Sequence, residues 1–515
     1  MTMRYKANNN KIIFETSDYD LDKDERRVKY EKYDIIICEK CKEKFNRDWH
    51  CRKCYNNETE EEKYRMLYGI CKRCSQVMKI HLWCPSCNSK RLQKDFIKWT
   101  SGNEDIDNLI KDIQTSAYSK HILEWIPYNK FIDVHMIDSG GFAKVYSAIW
   151  RGGRIEKWDQ ESNNWKRSGS FQVALKVLND SNNLSEDFLN ELKFLKKFPT
   201  SYYSTYIVEC FGITQEPSTL NYALVLKLKE GSLRSYLDKK YKVLTLKDKL
   251  DIISKICMGL DCVHNHNIIH RDLHLGNILY TDTDKKKLNI SISDFGFCKP
   301  AFETSNLKEK NKLFGVMPYM APEVWNGKGY TKKSDIYSFG IIINEIISGC
   351  RPYHNIPHDY RLAIEICRGL RPEIRPEIPE ALKILINKCL DAIPEIRPNT
   401  YQIYTMLQDF MYTKNDRGFY NFKKHTEQYE ELKESSHIAT IIITKDSPSG
   451  TREDVPQIKY KSKLLDFDFP KLPAPINSDS FILKSDIDVD SNFLTVPKGH
   501  STCSDCIIEN INVVY

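Results

Sequence analysis

Asp272, Asn277 and Asp294 are the residues of this chain best suited to do chemistry together. Asp272 stands in His270-Arg271-Asp272-Leu273-His274-Leu275-Gly276-Asn277-Ile278-Leu279, and Asp294 follows in Ser293-Asp294-Phe295-Gly296. One carboxylate can orient a hydroxyl and take its proton, while an amide and a second carboxylate offer hard oxygens to magnesium. That set describes transfer of a phosphoryl group from Mg-ATP to a hydroxyl.

Such a site needs elements that hold phosphate and close over a base. Ile137-Asp138-Ser139-Gly140-Gly141-Phe142-Ala143-Lys144-Val145-Tyr146 predicts strand, tight turn, strand, in which Gly140 and Gly141 let backbone amides approach phosphate and Val145 covers a flat base. Downstream, Val173-Ala174-Leu175-Lys176 puts an ammonium on an apolar strand, which is costly unless it meets a partner. Glu191 is that candidate, in the helix-like run Phe188–Leu195. The polar stretch 151–170 between turn and lysine is longer than a hairpin needs and predicts a mobile excursion.

Over about Phe131–Tyr412 these motifs resemble a eukaryotic protein kinase. The resemblance implies an α+β bilobal fold, with a β-rich small lobe and a helical large lobe. It implies that Asp272 is the catalytic base, that Asn277 and Asp294 hold magnesium, and that Lys176, fixed by Glu191, holds the α- and β-phosphates of ATP. Ile137, Gly140, Gly141, Val145, Ala174, Leu226 and Leu279 would surround the nucleotide, Leu226 being at the gatekeeper position of the strand Tyr222–Leu228. His270, Phe295 and Leu195 would stack into a column linking the lobes. Ala321-Pro322-Glu323 would close the activation segment, Asp335–Gly340 would open a buried helix, and Arg397 would pair with Glu323.

Departures from the pattern concern the loop and the acceptor. Asp138 and Ala143 stand where the family has glycine, and Asp138 would bring a carboxylate near the phosphates. His274 and Val316 replace the lysine and threonine usual in serine/threonine kinases, while the Ala-Ala-Arg signature of tyrosine kinases is missing. The chain is similar to the tyrosine-kinase-like serine/threonine group, with forms seen in expanded fungal kinase families, so serine and threonine are the expected acceptors and tyrosine a possible one. Arg271 implies regulation by an upstream kinase, with Thr304 and Ser305 as candidate phosphosites. The competing reading is a catalytically silent scaffold of kinase fold.

Ahead of this domain, Cys38 and Cys41, Cys51 and Cys54, Cys71 and Cys74, and Cys84 and Cys87 form four Cys-x-x-Cys pairs. A shift of 33 residues superposes the first four cysteines on the second four. Two four-thiolate zinc-ribbon modules, or one treble-like module with interleaved ligands, satisfy that spacing, and four protein ligands make the metal structural. Neighbouring Lys40, Lys42, Arg52 and Lys72 either balance thiolate charge or contact nucleic acid. Cys503 and Cys506 are too few for a site and predict free thiols.

A net charge of +7, from 77 basic and 70 acidic residues, is too small to argue for nucleic acid or a membrane by itself. With no secretory pattern and no long apolar run, the expectation is an intracellular, cytoplasmic protein without a membrane partner. The expected organisation is a flexible arm over 1–32, the cysteine-rich region over 33–90, a helical connector over 91–130, the kinase domain over 131–412 and a largely disordered tail over 413–515.

Overall fold

A computed structural model describes residues 59–78, 83–116, 122–139, 143–179, 191, 206–282, 288–300, 313–412, 460, 462–465 and 472–477, with short strands at 5–8, 11–14, 35–37 and 44–46. These fall into two compact units, Met1–Ile70 and Cys71–Tyr515. In the first, Tyr5–Asn8 pairs with Lys11–Phe14 and Ile35–Ile37 with Lys44–Asn46, both antiparallel. Helix α1 (Glu60–Tyr68) is closed by a capping box between Thr59 and Glu62. Cys38, Cys41, Cys51 and Cys54 lie outside the described residues.

The second unit opens on α2 (Pro85–Asp95) and α3 (Glu104–Thr115). Asn103 caps α3 by accepting from the N–H groups of Asp105 and Ile106, the start expected from Ser101-Gly102-Asn103. Ile106 and Ile110, one turn apart, are fully buried in the main core. Beyond α3 the connector does something its helical pattern did not announce. Strand β1 (Glu124–Trp125) runs parallel to a strand of the small lobe and becomes the edge of its sheet.

That sheet contains β2 (Phe131–Ser139), β3 (Ala143–Trp150), β6 (Phe171–Leu178), β7 (Cys210–Gln215) and β8 (Tyr222–Lys227), with β4 (Ile155–Asp159) and β5 (Asn164–Arg167) inserted as a separate hairpin. The spatial order is β1-β7-β8-β6-β3-β2. Alternation along β6 sends Val173 and Leu175 into a cluster with Trp150, Phe211 and Val225, and Ala174 to the opposite face with Leu224 and Leu226. Lys176 lies across from Val145 on β3 and Leu224 on β8.

The insertion expected to be a mobile excursion is this ordered hairpin. Its apolar residues explain the difference. Trp165 stacks on Trp83 at 6.0 Å and meets Trp158 edge-on at 5.0 Å, and the Trp165 indole N–H donates to Asp95 at 3.1 Å. Arg91 lies 4.5 Å over the Trp158 ring. Trp83, Leu92, Ile122 and Ile155 form a small core of their own, so the hairpin ties the cysteine-bearing segment to the small lobe.

In the large lobe, α4 (Leu246–Asn265) and α5 (Lys332–Ser348) are buried over most of their lengths, and α6 (Thr400–Tyr412) packs on α4. Hairpin β9 (Ile278–Asp282) and β10 (Leu288–Ile292) lies between the stretches of Asp272 and Asp294, and β11 (Leu313–Gly315) precedes Ala321-Pro322-Glu323. Glu323 and Arg397 form the expected pair, bidentate at 2.7 Å and wholly buried. Among the described residues no helix is long and apolar enough to cross a membrane.

One part of the region assigned to the tail is docked. Strand β12 (Lys463–Leu465) pairs antiparallel with β11, and Leu465 and Leu472 are buried in the main core.

Candidate active site

Asp335, at the start of α5, builds the loop that carries Asp272. Its carboxylate accepts from the backbone N–H of His270 at 2.8 Å and of Arg271 at 3.0 Å, and from His264 Nε2 at 3.0 Å. Arg271 has φ of 71°, a left-handed conformation that a non-glycine residue holds only when its surroundings fix it. The two bonds to Asp335 supply that constraint. Arg271 also lies 4.4 Å over the Tyr330 ring, and its expected partners Thr304 and Ser305 lie outside the described residues.

His270 connects this loop to the second motif. Its Nε2–H donates to the Ser293 carbonyl at 3.1 Å and its ring meets Phe295 at 5.3 Å. Burial holds the imidazole pKa below its ordinary value, against the carboxylates of Asp335 and Asp272. The ring is therefore a neutral strut. Leu195, expected in the same column, lies outside the described residues.

The three ionic groups expected to form the nucleotide site converge. Lys176 Nζ donates to both Glu191 oxygens at 3.0 and 3.1 Å and to Asp294 Oδ1 at 2.8 Å. Burial opposes the ammonium, but the carboxylates of Asp294 and Glu191 outweigh it and hold the Lys176 pKa above its usual value. Asn277 Nδ2 donates to the Asp272 carbonyl at 2.9 Å and to its Oδ2 at 3.1 Å. Ala174 lies opposite Leu226, and Leu279 is in β9. Ile137 is exposed on β2, and Asp138 turns to its own strand, accepting from the Ser139 N–H at 2.8 Å. Gly140 and Gly141 lie outside the described residues.

His274 is bound into the site. The Gly276 N–H donates to its Nδ1 at 3.0 Å, which leaves the proton on Nε2. Nε2 is 3.7 Å from Asp272 Oδ2. A Cβ on Gly276 would come within 2.6 Å of the imidazole, so the glycine makes the ring's seat.

The group that sequence reading missed is Ser462. Its hydroxyl donates to Asp272 Oδ2 at 2.6 Å, and its oxygen is 3.3 Å from His274 Nε2. Burial raises the Asp272 pKa, but His274 and the bond from Ser462 outweigh it, so the carboxyl lies below its ordinary range. The only sequence signal was lysine alternating with Tyr460, Ser462 and Leu464 in a polar tail.

With Asp272, Asn277, Asp294, Lys176 and Glu191 thus arranged, comparison with known sequences bears directly on the site. The family model of protein tyrosine and serine/threonine kinase matches residues 132–407. The chain belongs to this kinase family. The kinase is 28% identical over 290 residues to the stress-activated protein kinase alpha of Dictyostelium discoideum, covering 53% of this chain and 41% of that one. It is 26% identical over 304 residues to a probable LIM domain-containing serine/threonine-protein kinase of the same organism, covering 58% and 41%. To the serine/threonine-protein kinase STY46 of Arabidopsis thaliana it is 30% identical over 224 residues, covering 42% and 37%. The chain spans less than half the length of these relatives.

The second cysteine repeat also converges. The sulfurs of Cys71, Cys74, Cys84 and Cys87 all lie within 4.8 Å of one another, with Cys74 and Cys84 at 3.5 Å and Cys71 and Cys87 at 3.9 Å. Interleaving with the first repeat is not needed to bring four thiols together. Cys84 stands at the N-cap position of α2 without a side-chain capping bond, and Cys87 lies in the first turn of that helix.

Proposed function

We propose that the chain is an active ATP-dependent kinase that phosphorylates serine or threonine in proteins and is of the tyrosine-kinase-like group. The observation that carries this is the single ammonium of Lys176 bound at once by Glu191 and Asp294, which supports a phosphate-holding role for Lys176 beside a metal-holding role for Asp294. Asp272 would orient the acceptor hydroxyl and receive its proton, and His274 would donate from Nε2 toward the acceptor oxygen in place of the family's lysine. Asn277 and Asp294 would hold magnesium, which neutralises charge on the phosphates. A serine hydroxyl against Asp272 supports an aliphatic acceptor.

Loss of catalysis usually leaves one of these residues changed, and the presence of all five supports the active reading over a scaffold role. The test is phosphate transfer to a generic serine/threonine peptide pool by the purified chain and by its Lys176→Met and Asp272→Asn variants. Each variant is expected to lose about 100-fold or more in rate with its thermal transition retained. Parent-like transfer by either one would overturn the assignment.

We also propose that Cys71, Cys74, Cys84 and Cys87 bind structural zinc. A tetrahedral ion with bonds of about 2.3 Å sets sulfurs about 3.8 Å apart, and the observed pairs bracket that spacing.

A further inference from the structure

We infer that Ser462 is this kinase's own phosphorylation site, and that Tyr460, Ser462 and β12 occupy the acceptor groove as an intramolecular substrate. The inference rests on the kinase reading and adds to it the acceptor and its recognition.

Three sets of contacts hold the segment. First, β12 adds to β11 with Leu313 opposite Leu465, Phe314 opposite Leu464 and Gly315 opposite Lys463. Gly315 lies against the catalytic carboxylate, since a Cβ there would be 3.6 Å from Asp272 Oδ1. Strand addition therefore delivers the residue just before β12 to Asp272, and that residue is Ser462. Second, Tyr460 is fixed on the N-terminal side. Its hydroxyl donates to the Pro352 carbonyl at 2.9 Å, its ring meets His358 edge-on at 4.8 Å, and Arg234 and Arg351 lie 5.2 and 5.5 Å from its centre. Third, a more distal stretch anchors the segment. Leu472 is buried, the Pro473 carbonyl accepts from Asn326 at 2.6 Å, and Asn477 accepts from the Ala392 N–H at 2.7 Å. A hydroxyl that met Asp272 by chance would need none of these.

The chemistry balances with ATP as phosphoryl donor. Ser462 Oγ forms a bond to the γ-phosphorus while its proton passes to Asp272 Oδ2. The bond from that phosphorus to the β–γ bridging oxygen breaks, and ADP leaves with the electron pair. Asp272 then releases that proton to solvent, which leaves a phosphoserine dianion against a carboxylate. Like charges at that separation repel, so the reaction weakens the hold of the segment that underwent it. Before transfer the segment competes with other substrates, and after transfer it yields the groove. The same contacts define what another substrate must offer, namely an aromatic residue two positions before the acceptor and leucine three positions after it.

The full chain incubated with Mg-ATP is expected to carry phosphate on Ser462 by mass spectrometry, at a fractional rate unchanged over a hundredfold range of protein concentration. Hydrogen exchange without nucleotide should show 462–465 and 472–477 protected, with protection lost in Ser462→Glu and in Leu465→Asp. Both variants should lower KM for a Tyr-x-Ser-x-x-Leu peptide tenfold or more, whereas Ser462→Ala should keep the protection and the high KM. Transfer to the peptide with none to Ser462, or a rate rising in proportion to protein concentration, overturns the inference and leaves the kinase reading intact. Transfer to neither overturns both. Lack of protection over 462–465 also overturns the inference, whatever the activity.

Discussion

His274 replaces a flexible lysine with a ring that has one orientation. Its Nδ1 is committed to the Gly276 N–H, so only Nε2–H faces Asp272 and the acceptor oxygen. Replacing it with leucine keeps the volume and removes the donor. His274→Leu is expected to lower kcat about 10- to 100-fold with little change in thermal midpoint. The same change removes one of the groups holding the Asp272 carboxyl below its ordinary range, so the acidic limb of the pH–rate profile should move to higher pH. The sign is that of a depressed carboxyl: the ionised form prevails above the folded pKa and is lost as pH falls through it. A parent-like kcat and an unmoved limb would show that the ring only fills space. Gly276→Ala should act in the same direction, because its Cβ would displace the imidazole.

The Glu323–Arg397 pair shows how far a residue can be read from sequence. Its partners stand 74 positions apart and were paired only because the kinase resemblance supplies their order, and the structure gives two 2.7 Å bonds with no access to water. Arg397→Met strands a buried carboxylate and is expected to cost about 3–5 kcal/mol in urea unfolding, more than its lost packing explains. A cost below about 1 kcal/mol would mean that Glu323 finds another partner.

At the scale of elements, α4 contains a buried lysine whose reason is not in its own sequence. Lys249 packs 3.8 Å from the centre of the Tyr241 ring and 3.4 Å from the Ile347 carbonyl, with Arg375 among the residues around it. Burial, and secondarily Arg375, push its pKa down to about 7. The ring face offsets part of that cost. An unfolded chain then binds more protons than the folded one between about pH 7 and 10, so stability should rise with pH across that window. Lys249→Met should flatten the slope, which urea midpoints at pH 7 and 9 would detect. An unchanged slope would place the titration elsewhere.

Elements announced by local pattern, such as α3 with its cap and β6 with its alternation, were legible in the sequence. Those created by distant pairing were not. Strand β1 is two residues long and depends on β7, and β12 depends on β11 about 150 positions earlier. Neither carries a periodicity long enough to read, because their hydrogen bonds and burial come from the partner. The β4–β5 hairpin was mistaken for a mobile loop on its polarity, although Trp158 and Trp165 were present to anchor it. The candidate site was legible nearly whole at Lys176, Glu191, Asp272, Asn277 and Asp294, since fixed chemistry dictates residue type and spacing there. Ser462 was invisible because one serine in a lysine-rich tail has no such constraint.

At the scale of the unit Cys71–Tyr515, the cysteine cluster and the six-stranded sheet of the small lobe share a mechanical path. Cys84 and Cys87 begin α2, α2 contributes Leu92 to the small core with Trp83, Ile122 and Ile155, and that core holds the β4–β5 hairpin. Arg167 at the hairpin's end donates to buried Glu124 at 2.5 Å, and Glu124 belongs to β1 at the sheet edge. Four thiolates brought this close repel one another unless a cation joins them, so metal removal should loosen this path from its origin. The purified chain is expected to contain zinc by elemental analysis at or above one ion per chain. Chelation, or Cys84→Ser with Cys87→Ser, should increase hydrogen exchange across 155–167 and lower the first thermal transition by several degrees, while exchange in α4 and α5 stays as in the parent. Absence of zinc, or removal without change at 155–167, would make the cluster a set of free thiols. If α4 and α5 loosened to the same degree, the cluster would support the whole unit and not its small lobe alone.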